Sequence, residues 1–153
     1  MTFQEALQKA AKYCAYQDRC QSEMRKKLHV WGLSGEETEA VIAELTSQGY
    51  ISDQRYANAF VSGKYHIKSW GRQKIIRYLR MQGISERCVK EALLSVDFSD
   101  YEERLSHIAE KWRSAHGDIT GPEASFKLRS YLFGKGYETD VVNKFLEVSL
   151  DIE

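Results

Sequence analysis

The chain carries one pattern three times. Residues 24–33, 75–84 and 128–137 align without gaps. In each, an apolar residue (Met24, Ile75, Leu128) stands four positions before a leucine (Leu28, Leu79, Leu132). A glycine (Gly32, Gly83, Gly136) comes four positions later, and an apolar residue (Leu33, Ile84, Tyr137) follows it directly. The glycines are 51 and 53 residues apart, and few folds repeat at that period with so little insertion. The i, i+4 apolar pair places two side chains on one face of a helix. The glycine then occupies the position where a left-handed residue ends that helix, with the next apolar residue folded back on it.

A second helix is predicted after each glycine. Ser34 and Glu37 have the spacing of a capping box, and Ser85 with Glu86 supplies a serine cap and an acidic first turn. A longer helix is predicted ahead of each pair. These run over about 3–14, from near Asp53, and after Ser99-Asp100-Tyr101-Glu102, read as another capping box. Gly49 and Gly117 are expected to be helix stops, and 66–70 and 115–121 flexible connections. The expected fold is all-α, three tandem three-helix repeats over 1–48, 49–96 and 97–153 in an elongated, curved array. Trp31 and Trp112 are expected to pack between repeats.

Composition narrows the function. The three cysteines, Cys14, Cys20 and Cys88, are odd in number and form no C-x-x-C pair, which argues against a disulfide framework or a zinc site. The four histidines lack metal-ligand spacing, and no phosphate-binding glycine loop or nucleophile motif occurs. No cofactor, metal or catalytic residue is expected, and the chain is read as acting by binding. It has no apolar run of the roughly 18 residues that a membrane span needs, and no secretory leader is legible at Met1. A cytoplasmic monomer without membrane contact is expected. The total charge is zero, yet residues 53–95 hold 9 basic against 3 acidic groups, while 96–153 hold 7 against 12. Such a basic middle suits an anionic partner, or else is a solvated helix face.

The joined order of these motifs resembles the RecX family. The stretch Glu23-Met24-Arg25-Lys26-Lys27-Leu28 is similar to that family's first repeat. Gly49-Tyr50-Ile51-Ser52-Asp53-Gln54-Arg55-Tyr56-Ala57 is similar to its Asp-x-Arg-aromatic-Ala junction, and Gly71-Arg72-Gln73-Lys74-Ile75 ahead of Leu79 and Gly83-Ile84 to its second repeat. Residues 131–137 resemble the end of its third. The likeness runs from about Leu7 to Leu146. Two departures stand out: Cys20 holds a place usually given to serine, and Ser52 precedes Asp53 where a second aspartate is commoner.

The resemblance implies a partner, the RecA recombinase and its filament on single-stranded DNA. It implies suppression of filament assembly, ATP hydrolysis, strand exchange and the coprotease activity that triggers the SOS response, with the protein lying in the filament groove. The partner-binding set, for RecA or for weak direct DNA contact, is Lys64, Lys68, Arg72, Lys74, Arg77, Arg80 and Arg87, with Tyr65 and Trp70 as stacking surfaces. Arg72, Arg77 and Arg80 are expected on outward faces. Asp53, Arg55, Tyr56, Ala57, Gly32, Gly83 and Gly136 are read as structural, with Asp53 capping its own helix. The alternative reading is a helix-turn-helix nucleic-acid-binding protein acting directly on DNA.

Overall fold

The computed structural model describes residues 1–152, with side chains through Glu147. In chain order the helices are α1 (Phe3–Tyr16), α2 (Gln21–Val30), α3 (Gly35–Ser47), α4 (Asp53–Val61), α5 (Arg72–Met81), α6 (Glu86–Leu93), α7 (Phe98–Ala115), α8 (Gly121–Lys135) and α9 (Thr139–Ile152). No strand forms among the described residues, and the chain is an all-α repeat fold.

The repeated glycines do the same job three times. Gly32, Gly83 and Gly136 have φ of +89°, +74° and +100°, a region that side chains with a Cβ avoid. Each turn lets the following amide donate back to the repeated leucine: Leu33 to Leu28 O at 3.1 Å, Ile84 to Leu79 O at 3.1 Å, and Tyr137 to Leu132 O at 3.2 Å. This is the Schellman arrangement, which satisfies carbonyls that the helix end would leave bare. Ser34 Oγ accepts from the Glu37 amide and Glu37 Oε1 from the Ser34 amide, closing the expected capping box. The box expected at Ser99 is not the start of α7: Asp97 is the cap, its carboxylate accepting from the Asp100 amide at 3.1 Å. Gly117 lies beyond the end of α7, where the His116 amide has already turned back to Trp112 O and Arg113 O.

The chain packs as two compact units, and the second helical triplet contributes to both. One comprises Met1–Phe60 with Leu79–Ala92; the other comprises Val61–Tyr78 with the chain from Leu93 onward. In the first unit α1 and α2 pack on each other and on α3. Ala6, Ala10, Cys14, Met24, Leu28, Val41, Ile42, Leu45 and Ile51 fill the space between them. Burial of each large aliphatic side chain there contributes about 1.5–3 kcal/mol. Trp31 stays inside this unit, edge-on to Tyr13 with Lys9 above its ring, rather than joining repeats. Burial raises the thiol pKa values of Cys14 and Cys20, which keeps both protonated and inert.

In the second unit α8 packs on α7 and on α9. Its core is aromatic as well as aliphatic: Tyr101 lies between Tyr65 and Tyr137, with ring centroids 6.0 and 5.0 Å away. Trp112 stacks on His116 within α7 and its cap, and so also stays inside its unit. The stretch 66–70, expected to be flexible, is held. Residues Ser62–Ile67 continue α4 as a π-helix, and the Arg104 guanidinium donates to the Tyr65 and His66 carbonyls at its end. Beyond it, the start of α5 docks onto the end of α8. The Gly71 amide donates to Lys135 O at 2.7 Å and the Gln73 amide to Gly136 O at 2.9 Å. Free donors at one helix start thus meet free acceptors at another helix end. Gly71 is required there, because a Cβ would overlap the Gly136 and Tyr137 backbone.

Candidate binding surface

The Asp-x-Arg junction is built as a structural clasp within the first unit. Asp53 Oδ1 accepts from the Gln21 amide at 2.9 Å, so it caps α2, not its own helix. That position needed help, since Cys20 offers no good cap oxygen. Glu23 Oε1 also turns back to the Cys20 amide, and Ser22 Oγ donates to Gln82 O. The cap of α4 itself is Ser52, whose Oγ accepts from the Arg55 amide at 3.1 Å. Arg55 pairs with Asp18 at 2.8 Å and donates to the carbonyls of Gly49 and Tyr50, which follow α3. Ala57 is fully buried, while Tyr56 and Phe60 are half-buried and stacked on each other.

The basic set separates into residues with different tasks. Arg72 does not face outward. Its Nε lies 2.9 Å from Glu138 Oε2, too far off line for a hydrogen bond but close enough for an ion pair, and its guanidinium covers the Tyr101 ring at 4.2 Å. The Tyr101 hydroxyl accepts from the Arg72 amide and donates to Glu138. Tyr65 is likewise no stacking platform: it is fully buried and its hydroxyl donates to Asp100 at 2.6 Å. Arg80 and Arg87 belong to the first unit, where Arg80 closes a two-pronged bond with Glu86 and Arg87 is exposed. Arg77, in the second unit, is exposed.

What gathers in the second unit is a cluster of lysines around Trp70. The Lys64 ammonium stands 4.9 Å and the Lys74 ammonium 4.3 Å from the centre of the Trp70 ring, which also lies against Tyr78. Contacts of this kind contribute about 0.5–1 kcal/mol each and hold flexible stems in place. From the third repeat, Lys135 Nζ reaches back to donate to Lys68 O at 3.0 Å. Burial, and then the charges of Lys74, Lys68 and Lys111, push the Lys135 pKa down. Sequence reasoning found Lys64, Lys68 and Lys74 but missed Lys135 and Lys111. The only hint was Gly136 beside Lys135, a glycine whose missing side chain lets the backbone approach α5 at Lys74.

Among the described residues, no group of histidines, cysteines and carboxylates has the spacing to hold a metal ion, and no helix is long and apolar enough to cross a membrane. The fold and the cluster define a class of protein: an all-α repeat protein that presents a cationic surface. Residues 6–45 match the model of the first three-helix domain of RecX, and residues 52–93 that of the second. Regulatory protein RecX of Bacillus licheniformis is 27% identical over 94% of this chain, and the chain spans only about half of that relative's length, 54%. Regulatory protein RecX of Chromobacterium violaceum is 26% identical over 94% of this chain and 90% of its own. The crystal structure of RecX from Lactobacillus salivarius superposes with a TM-score of 0.86 at 22% identity, covering 99% of this chain and 97% of that one. The chain belongs to the RecX family of regulatory proteins.

Proposed function

We propose that this chain regulates the RecA recombinase by binding its filament on single-stranded DNA, and that it inhibits recombination, ATP hydrolysis and coprotease activity. The observation that carries this reading is the ordered match of both three-helix stretches to the two RecX domains. The chain acts in the cytoplasm, as a monomer, by occupying a groove that spans filament subunits, so that one molecule blocks growth for many. It acts without catalysis of its own. The exposed or half-exposed cations of the second unit, Lys64, Lys68, Lys74 and Arg77, make the contact. Arg72 stays outside that set because Glu138 and Tyr101 already hold it.

The helix-turn-helix alternative fits the residues less well. After the first glycine turn, the helix in the position of a DNA-reading element is α3. It carries Glu36, Glu37, Glu39 and Glu44 and no lysine or arginine, which repels a phosphate-lined groove. The regulator reading is tested by sedimenting preformed RecA filaments with this protein. Co-sedimentation with the filament, and none with free RecA at the same concentration, is expected. A protein that stays in the supernatant while remaining folded would end the reading.

A further inference from the structure

The cations of the surface divide into two kinds. Arg25, Arg55, Arg80 and Arg104 each close on a carboxylate. Among the described residues, Lys68, Lys74 and Lys135 close on none. Lys135 stands apart within that trio. Lys68 is exposed, and the Lys74 ammonium rests over the Trp70 ring, whose face favours a cation. Lys135 is half-buried, and its Nζ donates to the Lys68 carbonyl oxygen at 3.0 Å. The backbone keeps it there, because the next residue, Gly136, lies against Lys74. An amine that is partly desolvated and flanked by ammonium groups gives up its proton more readily, and a lysine so placed is a nucleophile. Burial, and then the charges of Lys74, Lys68 and Lys111, accordingly hold Lys135 below the usual lysine range.

We propose that Lys135 is a reversible modification site, at which carbon dioxide is taken up as a carbamate. The lone pair of the neutral amine attacks the carbon of carbon dioxide, and a C–N bond forms. One C=O π pair moves onto oxygen, and the nitrogen gives one proton to solvent water. The product is an N-carboxylate; nothing is oxidised or reduced, and reversal releases the gas. The surroundings select carbon dioxide over other electrophiles by the charge of the product. An acyl donor leaves a neutral amide and an aldehyde an uncharged imine, and neither gains from nearby cations. The carbamate turns Lys135 into an anion beside two ammonium groups, so that Lys68 and Lys74 acquire the carboxylate they lack. Its nitrogen keeps one N–H, which is enough for the bond to Lys68 O. Carbon dioxide is small and uncharged and needs no preformed cavity. Neither the reaction nor its detection involves a recombinase.

The test equilibrates the full chain with isotope-labelled bicarbonate near neutral pH. Triethyloxonium then esterifies any carbamate, and peptide mass spectrometry locates the added mass. The amino group of Met1 takes up carbon dioxide as any free amino terminus does, and serves as the reference. Label is expected on Lys135 at an occupancy about threefold or more above that of the other lysines, from the coupling of neighbouring surface charges. Lys135→Arg keeps a cation and a donor for Lys68 O; it is expected to lose that label and melt with the parent protein. Lys68→Gln/Lys74→Gln keeps the Lys135 bond, because that bond uses the Lys68 backbone. Its Lys135 occupancy is expected to fall about threefold, since amine and carbamate both lose their neighbours. Label confined to Met1, or spread evenly over the lysines, overturns the proposal. So does label on Lys135 that the double glutamine variant leaves undiminished.

Discussion

The carboxylate of Asp53 sits at the start of α4 and yet serves α2, whose first amide it accepts 2.9 Å away. Its replacement by alanine removes a cap from a helix it does not belong to. Asp53→Ala is expected to lower stability by about 1 kcal/mol in urea unfolding. No change would mean that Glu23 alone satisfies the start of α2. From sequence, Asp53 reads as the cap of the helix it begins, because capping is recognised by local spacing and its true donor is 32 positions away. Gly71 poses the same difficulty. It precedes a helix and looks like an ordinary connector, while its lack of a side chain is demanded by Gly136, far along the chain. Gly71→Ala is expected to destabilise by about 2–3 kcal/mol, since the obstacle is backbone and cannot rotate away. An alanine variant that melts with the parent protein would contradict the close approach.

At the scale of elements, the helix ends were the most legible part of the chain. Glycine after an i, i+4 apolar pair is a local signal, and all three repeats form the bond from the following amide to the repeated leucine. Much less legible were the tasks of charged side chains, because a face count does not show what the next helix brings. Arg72 has the spacing of a surface residue, but Glu138, the residue just ahead of α9, lies against it. Arg72→Glu is therefore expected to cost about 2–3 kcal/mol by setting two carboxylates together, whereas Arg77→Glu stays within about 0.5 kcal/mol. Parallel thermal melts of the two variants check this, and equal melting would show that the Glu138 pair is dispensable. The tyrosine core gives a further expectation. Burial first, and then nearby Glu23 and Cys20, push Tyr56 up to about 12, and burial also raises Tyr65, Tyr101 and Tyr137. The folded state thus holds these protons more tightly than the unfolded chain does. Their contribution is intact below the ordinary tyrosine value of about 10 and is lost as pH climbs toward 12. Melting temperature is expected to fall between about pH 9 and about pH 11, and a flat profile there would contradict the burial of these hydroxyls.

At the scale of the whole molecule, zero net charge conceals a basic middle and an acidic end. The fold draws Lys135 out of that acidic third and sets its ammonium on the Lys68 carbonyl, within reach of the Lys74 charge. The charge imbalance, and Trp70 within it, were visible in the sequence; the arrival of Lys135 was not, since it depends on the docking of α5 against α8. Membership of the RecX family gives that surface its proposed partner. The most direct measurement is strand-dependent ATP hydrolysis by RecA from the same organism, titrated with this protein at well below one molecule per recombinase subunit. Strong inhibition at such ratios, weakened in Lys68→Gln/Lys74→Gln and unaffected by replacements on α3, is the predicted result. Full hydrolysis in the presence of folded protein and confirmed filaments would contradict the account.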